Sequence, residues 1–499
     1  MTAFDTGILV AYFFVLSILG IYGWHRFFLV YEYTKHKDRV PGPPPPMPDP
    51  PRVTIQLPFY NEMYVVDRLI DAVAEIEYPK DRLEIQVLDD STDETCDIAE
   101  LAVRRLKQRG FNASYLHRTD RTGFKAGALE AGLKVAQGEF IAIFDADFVP
   151  PSDFLMRTVP YFCEEKLAVV QARWGHLNRD YSLLTKVQAV MLDGHFVLEH
   201  GGRNRAGCFF NFNGTAGVWR RTAIVDAGGW QHDTLTEDLD LSYRAQIRGW
   251  KFLFLPDLVA PAEVPVEMNA FKSQQHRWAK GSIQTCRKVL PLILQADLPL
   301  KVKAEAFFHL TANFNYVLMI VLSILMFPAM WVRYNMGWTE VLVIDVPIFV
   351  MATLSVFNFY VMSQREIYAD WKTRVKYLPA VMAIGIGLAV NNTRAVLEAL
   401  MGHQSEFART AKYGIERRLD DWQHKKYHQS MPIQPFIELA LGLYFTAAVV
   451  YALSNGIFGT LPFLVLFQFG FLYPALTSLY QQFGGDHALV KATQTAGGK

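Results

Sequence analysis

Between Val53 and Phe144 the chain alternates short apolar runs with segments whose apolar residues recur at helical spacing. The apolar runs predict strands, and the segments between them predict amphipathic helices. The predicted strands are Val53–Leu57, Leu83–Leu88, Ala113–Leu116 and Phe140–Phe144, and the predicted helices are Met63–Glu75, Thr95–Gln108 and Lys125–Ala136. This alternation predicts an α/β domain with an open, mostly parallel, doubly wound sheet and right-handed crossovers. Ligands bind such sheets outside the carboxyl ends of the strands.

Five long apolar runs lie outside this alternating region. Each is long enough to cross a hydrocarbon core about 30 Å thick. They are Ile8–Trp24, Asn313–Trp331, Val341–Met362, Phe436–Leu453 and Leu461–Tyr480. The first run has no basic start or small-residue cleavage site, so we expect an anchor and not a cleaved signal peptide. Basic residues follow it from Arg26 to Arg39, which predicts a cytoplasmic domain in an inner or cell membrane protein.

A sixth apolar run, Leu378–Leu400, has basic residues at both ends. One full crossing would place one of these ends on the wrong side of the membrane. We therefore expect an interfacial or protein-buried helix along the cytoplasmic surface, and a sixth span remains the alternative. A proline-rich run, Pro41–Pro51, predicts a semi-rigid extended linker before the domain.

These patterns divide the chain into seven predicted segments. They are a transmembrane anchor (1–31), a linker (40–51), the cytoplasmic α/β domain (52–290), an interfacial helix with two spans (297–362), an interfacial helix with a basic loop (378–430), two C-terminal spans (436–480) and a cytoplasmic tail (481–499). We accordingly expect the lipid bilayer to be one partner of the protein.

Composition narrows the classes of function. With 49 basic and 49 acidic residues the net charge is zero, and this argues against a nucleic-acid-binding protein. A hydrophobic content of 51% excludes a disordered chain. The four cysteines are widely spaced, which excludes a disulfide framework and a structural zinc site of the usual spacing. The sequence does not indicate an oligomeric state.

Aspartates follow two of the predicted strands. Asp89 and Asp90 follow one strand, and Asp145 and Asp147 follow another. Each pair alone is compatible with helix capping. Together at neighbouring strand ends, the carboxylates favour a divalent cation shared with substrate phosphates. Nearby, the segment Arg121–Gly127 is a candidate phosphate cradle, because it opens a helix with two glycines and two cations.

Further polar groups lie closer to the membrane segments. Asp238 follows Thr236-Glu237 ahead of a helical stretch, where a carboxylate can also act as a simple cap. Arg277 and Trp278 suit a membrane-interface anchor. They also suit a sugar site, in which an aromatic ring stacks on the sugar and a guanidinium binds its hydroxyls.

In order and spacing these motifs resemble those of the processive family 2 glycosyltransferases. The motifs are Asp89-Asp90, Asp145-Ala-Asp147, Thr236-Glu237-Asp238 and Gln274-x-x-Arg277-Trp278. The chain resembles cellulose synthases, and more closely plant glucomannan (mannan) synthases and their bacterial relatives, through Phe212–Arg220 and Ala227–Trp230. The resemblance implies a GT-A-type fold and a metal-dependent, inverting hexosyltransferase that uses a nucleotide-sugar.

The resemblance also implies a role for each matched residue. Asp89 and Asp90 would contact the base and ribose, Lys125 the diphosphate, and Asp147 with Asp145 a Mg²⁺ or Mn²⁺ ion. Asp238 would be the general base, and Glu237 would line the same nucleotide-sugar site. Gln274, Arg277 and Trp278 would line the acceptor site at the mouth of a membrane channel.

A last match lies in the predicted basic loop. Phe407, Arg409, Thr410 and Lys412 resemble the gating loop that closes over the nucleotide in cellulose synthases. The chain departs from that family at Arg409, where cellulose synthases carry an apolar residue. A solvated basic loop at the membrane surface is the alternative.

Three functions fit these observations. The first is a synthase that builds a cellulose- or glucomannan-like β-linked polysaccharide from UDP-glucose or GDP-mannose. The second is a glycolipid synthase that transfers a single glucose to a membrane lipid such as diacylglycerol. The third is a membrane scaffold built on an inactive transferase domain, against which the complete set of aspartates argues. The acceptor is accordingly expected to be a glycan or a lipid.

Overall fold

The computed structural model describes residues 2–337, 342–404, 409–428 and 433–496, and the side chains of 342–346 and 483–496 are outside that description. Parts of the predicted segments therefore lie outside the described residues, among them Val341, Phe407 and the last three positions of the tail. The strands are β1 (Val53–Phe59), β2 (Leu83–Asp89), β3 (Asn112–His117), β4 (Phe140–Ile143), β5 (Leu167–His176), β6 (Gly217–Arg220) and β7 (Lys251–Ala262).

The helices of the first half alternate with these strands. They are α1 (Ala3–Lys35), α2 (Val66–Ala74), α3 (Thr95–Gln108), α4 (Phe124–Val135), α5 (Phe154–Thr158), α6 (Leu183–Gly194), α7 (Gly201–Arg205), α8 (Arg221–Asp226) and α9 (Glu237–Ile247). A π-helical turn, His195–His200, joins α6 to α7.

The helices of the second half make up the apolar part of the chain. They are α10 (Met268–Gln295), α11 (Leu300–Thr311), α12 (Phe314–Asn335), α13 (Leu342–Ile367), α14 (Trp371–Arg374), α15 (Leu378–Gly387), α16 (Ala389–Leu400), α17 (Gln434–Ser454) and α18 (Leu461–Ala496).

The strands form one seven-stranded mixed sheet in the order β3-β2-β1-β4-β6-β5-β7. All pairings are parallel except those of β6, which runs antiparallel to both β4 and β5. The order reverses beside β1, where β2 lies on one side and β4 on the other. The prediction of a mostly parallel, doubly wound sheet is therefore confirmed, with one antiparallel strand that the pattern did not indicate.

Both faces of the sheet are buried because successive side chains of a strand point to opposite faces. In β4, Phe140 and Ala142 face the core that includes α2 and α3. Ile141 and Ile143 face the second core, which includes α4 and α8. Since both faces are covered, the ligand-accessible part of the domain is the edge where the strands end.

Five helices are long and apolar enough to cross a membrane. They are Ala3–Lys35, Phe314–Asn335, Pro347–Ile367, Gln434–Ser454 and Phe458–Gln482. Large apolar side chains stand exposed along them, among them Phe14, Ile324 and Val450. An exposed apolar surface of this kind is typical of contact with lipid. All five predicted spans thus correspond to helices of the described chain.

The run Leu378–Leu400 forms two helices, α15 and α16, which meet at a bend of about 40°. Many of its side chains are buried in protein, among them Ile384, Asn391 and Asn392. The side-chain amide of Asn391 donates to the backbone carbonyl of Lys272 at 2.8 Å. This burial agrees with the protein-buried helix that we expected, while one broken span remains compatible with the bend.

An ion pair buried among the apolar helices joins α10 to the C-terminal hairpin. Lys272 Nζ lies 2.6 Å from Glu438 Oε2 of α17 and 2.9 Å from Ser478 Oγ of α18. The side chains of Lys272 and Glu438 are fully shielded from solvent. Removing one partner leaves the other as an uncompensated buried charge, which is far more costly than losing a surface pair.

Lys272→Ala is therefore expected to lower the free energy of unfolding by about 3–5 kcal/mol, because it leaves the buried Glu438 carboxylate without its cationic partner. Unfolding in detergent micelles measures this as a lower melting temperature. Replacing both partners, Lys272→Met with Glu438→Leu, should restore most of the loss, since neither charge then remains. Lys372→Ala, at an exposed lysine, is the control. Equal stability of Lys272→Ala and the control would contradict the prediction.

Candidate functional site

The strand ends open into a cleft whose lining includes many polar side chains from distant parts of the chain. Twelve of the predicted site residues line it: Asp90, Lys125, Asp145, Asp147, Glu237, Asp238, Gln274, Arg277, Trp278, Arg409, Thr410 and Lys412. Asp89 does not line the cleft, and Phe407 lies outside the described residues. The structure thus brings the predicted residues together, while their chemical roles stay predictions.

Asp89, the last residue of β2, lies beneath the cleft and is fully buried. Its carboxylate accepts hydrogen bonds from the Ser91 backbone N–H at 2.8 Å and from the Tyr115 hydroxyl at 2.6 Å. These contacts hold the turn after β2. Asp89 is not among the residues that line the cleft, and it holds the turn that carries Asp90.

Asp90 faces the cleft and is held by a bidentate ion pair. Arg118 Nε and Nη2 donate to its two carboxylate oxygens at 2.7 and 2.5 Å. Planar pairs of this kind are geometrically specific. Beside them, the Arg121 guanidinium lies 3.3 Å from the centre of the Tyr60 ring. A flat, charged and aromatic wall of this type suits a nucleobase.

Lys125 enters the cleft from the first turn of α4. Two glycines shape the start of this helix. Gly123, in the turn before Lys125, has φ 75°, which favours glycine, and a Cβ on Gly127, inside the helix, would lie 2.2 Å from the Thr122 carbonyl oxygen. Lys125 Nζ donates to Asp145 Oδ1 at 2.5 Å and to the Gly214 carbonyl at 2.9 Å. Burial acts to lower the pKa of Lys125, but the nearby carboxylates, Asp145 foremost, outweigh it and raise that pKa.

The second predicted metal-binding carboxylate also has a lysine partner. Lys412 Nζ lies 2.6 Å from Asp147 Oδ2, and the two side chains come from positions 265 residues apart. Asp145 and Asp147 therefore each hold an ammonium group through one oxygen. Carboxylate oxygens are the ligands that Mg²⁺ and Mn²⁺ prefer, so this pair fits a divalent cation by the chemistry of its donors.

The segment from Arg409 to Ile415 lies across the mouth of the cleft. Arg409 donates to both oxygens of Glu62, at 2.8 and 3.0 Å. The backbone N–H groups of Tyr413 and Ile415 donate to the two oxygens of Glu263, at 2.9 and 3.2 Å. Burial raises the pKa of Glu62 to about 7, although Arg409 opposes this shift. Two acidic residues of the domain thus bind the basic loop predicted from the sequence.

Asp238 lies in the first turn of α9 and lines the cleft. Its Oδ1 accepts from the backbone N–H of Leu239 at 2.8 Å. A Cβ on Gly214, which has φ 76°, would lie 3.0 Å from Asp238 Oδ2, so glycine lets this loop approach the carboxylate. Burial, and after it the charge of Glu237, raise the pKa of Asp238 to about 7. A carboxylate with such a pKa is a stronger proton acceptor than an exposed aspartate.

Gln274, Arg277 and Trp278 lie on one face of α10, since residues three and four apart in a helix are neighbours. All three line the cleft. Burial lowers the pKa of Arg277, while Glu237 acts in the opposite direction. Because α10 also packs among the apolar helices through Lys272, the helix contacts both the cleft and the membrane part of the chain.

Several residues of the cleft did not emerge from the sequence. Glu62 and Glu263 follow the ends of β1 and β7, so the strand-end rule that identified the aspartates could also have found them. Arg118 and Tyr60 have no local signal, because their roles come from contacts with Asp90 and Arg121. Three non-glycine residues within two positions of cleft-lining residues have positive φ, namely Asn61, Phe124 and Ala216. Strained backbone of this kind clusters at functional sites.

The α/β domain of the chain is similar to that of known proteins. Residues 50–281 match the family model described as glycosyltransferase-like family 2. The chain is 43% identical over 282 residues to glucomannan 4-beta-mannosyltransferase 1 of Oryza sativa subsp. japonica, covering 56% of this chain and 54% of the relative. It is 47% identical over 244 residues to glucomannan 4-beta-mannosyltransferase 9 of Arabidopsis thaliana, covering 48% and 46%. The chain therefore spans about half the length of the curated relatives it matches.

A solved structure of similar fold is that of a mannosyltransferase from Pyrobaculum calidifontis in complex with GDP-Man and Mn²⁺, with a TM-score of 0.50 and 20% identity. The match covers 81% of this chain and 99% of the other. The predicted resemblance to glucomannan synthases and the GT-A-type fold are both confirmed. Over residues 50–281 the chain is therefore similar to the family 2 glycosyltransferases.

Proposed function

We propose that the protein is a membrane-bound, inverting glycosyltransferase that builds a β-linked mannan or glucomannan from a nucleotide-sugar, with GDP-mannose as the preferred donor. The observation that carries the proposal is the cleft in which Asp90, Lys125, Asp147, Asp238 and Trp278 meet. The relatives support the choice of sugar, since they are glucomannan 4-beta-mannosyltransferases. UDP-glucose remains the donor to compare with it.

In this proposal the donor lies along the edge of the sheet. Asp90, held by Arg118, binds the base or ribose, with the Arg121–Tyr60 pair as a wall. Asp89 keeps this turn in place from beneath. Lys125 binds the diphosphate, and its proton is secured because the carboxylates around it raise its pKa.

Asp147 and Asp145 would hold the divalent cation, Mg²⁺ or Mn²⁺. When bound, such an ion neutralises the charge that builds on the departing nucleoside diphosphate. Lys125 and Lys412 already place two positive charges at these carboxylates. The chain thus supplies cationic groups around the position where negative charge develops.

Asp238 takes the proton from the acceptor hydroxyl as that oxygen attacks the sugar carbon in line with the departing diphosphate. One displacement of this kind converts an α-linked donor into a β-linked product. Glu237 strengthens the base, because its charge helps to raise the pKa of Asp238. Gln274, Arg277 and Trp278 bind the acceptor glycan, the aromatic ring stacking on a sugar face.

The segment that carries Arg409, Thr410 and Lys412 acts in this proposal as the gating loop of the site. Its ion pairs to Glu62 and Asp147 at the cleft support this role, in which the loop excludes water from the donor. The domain faces the cytoplasm, where nucleotide-sugars are made, and the five apolar helices cross the bilayer. This arrangement puts the acceptor face of α10 next to the route by which a polymer would leave.

The proposal is tested by donor turnover of the purified protein in nanodiscs. UDP-glucose and GDP-mannose are supplied separately with Mg²⁺ or Mn²⁺, and released nucleoside diphosphate and product size are both measured. We expect GDP-mannose to give a long product that a β-1,4-mannanase degrades. A lipid-soluble monoglycoside as sole product would overturn the polymer assignment in favour of glycolipid synthesis. No turnover with either donor would overturn the proposed activity.

A further inference from the structure

Asn213 lines the cleft with a side-chain amide of which only one end is engaged by the described part of the protein. Its Nδ2 lies 2.9 Å from His195 Nε2. Its Oδ1 is shielded from bulk solvent and accepts no hydrogen bond within the described part of the chain. Buried amide oxygens nearly always have a donor, so one in a ligand cleft indicates a partner that comes with the ligand.

The orientation of this amide is set by two further residues. His195 Nδ1 lies 2.7 Å from Glu199 Oε2, one turn along the π-helical segment. Burial opposes ionisation of Glu199, but His195 and Arg203 outweigh it and lower the pKa of Glu199. A carboxylate only accepts hydrogen bonds, so His195 Nδ1 donates to Glu199, and the other ring nitrogen, Nε2, faces the amide nitrogen of Asn213. With its NH₂ group against His195, Asn213 turns Oδ1 the other way.

Glu199 is linked through Arg203 to helices outside the α/β domain. Arg203 Nη1 lies 3.7 Å from Glu199, and Arg203 Nε donates to Glu305 Oε1 at 2.9 Å. Glu305 Oε2 in turn lies 2.8 Å from His25 of α1. Arg203 and Glu305 are almost fully buried. Arg203 of α7, which is itself paired with Glu305 of α11, therefore holds the Glu199 carboxylate in place. This keeps Glu199 in contact with His195.

The loop itself does not depend on the Asn213 side chain. The backbone N–H of Asn213 donates to Gln171 Oε1 at 3.1 Å, and the Gly214 carbonyl accepts from Lys125. The side-chain hydroxyl of the next residue, Thr215, accepts from the Asp145 N–H at 2.8 Å. These contacts fix the loop without the Asn213 side chain, which leaves its amide oxygen available for recognition.

We propose that Asn213 is a substrate-binding residue whose Oδ1 accepts a hydrogen bond from a sugar hydroxyl at the reacting centre, and that His195 and Glu199 are positioning residues that fix its orientation. This inference rests on the proposed function. The hydroxyl belongs either to the donor sugar or to the terminal sugar of the acceptor. In the proposed function both sugars meet beside Asp238, which the Asn213–Gly214 loop approaches, and the same loop contacts Lys125 through the Gly214 carbonyl.

The test compares Asn213→Ala with the wild type on complete and deoxygenated substrates. GDP-mannose and its monodeoxy analogues form the donor arm, and manno-oligosaccharides deoxygenated in the terminal sugar form the acceptor arm. In the wild type, kcat/KM should fall about tenfold to a hundredfold for the analogue that lacks the bound hydroxyl. In Asn213→Ala this penalty should disappear, because the variant has already lost the contact. If the penalty disappears with the donor analogues, the bound hydroxyl belongs to the donor sugar. If it disappears with the acceptor analogues, the hydroxyl belongs to the terminal sugar of the acceptor.

The positioning role has its own variants. His195→Phe offers the Asn213 amide no acceptor, so the amide can turn. The fall in kcat/KM caused by the deoxy analogue should then be smaller than in the wild type. His195→Gln keeps a side-chain oxygen and should restore the wild-type fall in kcat/KM. Asn211→Ala is the matched control, because Asn211 lies two residues away, is buried and does not line the cleft. It should leave the penalty unchanged.

The outcomes separate this inference from the proposed function. Wild-type turnover with every deoxy penalty unchanged in Asn213→Ala would overturn the inference and leave the proposed function standing. A wild-type protein without turnover would overturn both. Loss of the penalty in Asn213→Ala but not in His195→Phe would retain Asn213 and remove the positioning roles.

Discussion

Asp238→Asn is expected to abolish glycosyl transfer while leaving nucleotide-sugar binding nearly unchanged. An amide has the shape of the carboxylate, but it cannot take a proton from the attacking hydroxyl. Removing a general base costs roughly 10²- to 10⁴-fold in rate. We expect kcat to fall by that factor in the nanodisc assay, with the dissociation constant for GDP altered by less than the rate.

The control for this variant is Asp233→Asn, which removes a carboxylate outside the cleft. Asp233 is more than half exposed and pairs with Lys288 at the surface. It should keep wild-type turnover. Turnover of Asp238→Asn within a few-fold of this control would exclude Asp238 as the base.

The same residue determines how the rate should depend on pH. The base form is the ionised carboxylate, and the pKa of Asp238 is raised to about 7 by burial and by Glu237. The rate should therefore rise with pH through the region around 7, since a larger fraction of Asp238 is then ionised. Glu237→Gln removes the neighbouring charge and should shift the inflection to lower pH.

The strand and helix pattern predicted the domain well because both signals are local. The helix Thr95–Gln108 was predicted to the residue, and Leu83–Leu88 differs from β2 by one. The aspartates followed from the strand ends, because parallel strands end at one edge. That argument alone cannot tell which of two adjacent residues faces the cleft. Asp90 lines the cleft and pairs with Arg118, whereas Asp89 does not line it and binds Tyr115.

Contacts between distant segments are the part that the sequence could not provide. Arg409 and Glu62 are 347 positions apart, and Lys412 and Asp147 are 265 apart. In the sequence, each of these four residues looks like an ordinary charged residue of the surface. A resemblance to the gating loop indicated the function of the segment but not its partners. The series of contacts from Asn213 through His195, Glu199, Arg203 and Glu305 to His25 depends likewise on a π-helical turn. The spacing of apolar residues in the sequence did not indicate this turn.

Asp147→Ala is expected to abolish activity together with metal dependence. Asp147 is one of two carboxylates in the cleft suited to a divalent cation, and its loss leaves Asp145 alone, already paired with Lys125. We expect loss of more than about a hundredfold in kcat, comparable with the loss of a major source of charge stabilisation. The wild type should lose its activity in EDTA and regain it when Mg²⁺ or Mn²⁺ is added in excess. Wild-type activity that survives EDTA would contradict the metal assignment.

Lys412 supplies the sharper version of this test, because its ammonium lies 2.6 Å from the same carboxylate. An ammonium and a divalent cation on one carboxylate repel each other, so cation binding must displace Lys412 or act against its charge. Lys412→Met keeps the length of the side chain without the charge. It should bind Mn²⁺ more tightly than the wild type in the absence of nucleotide, measured by electron paramagnetic resonance of free Mn²⁺. Asp147→Ala should bind it more weakly. Equal Mn²⁺ affinity in all three proteins would place the cation elsewhere, whatever the effect of these substitutions on turnover.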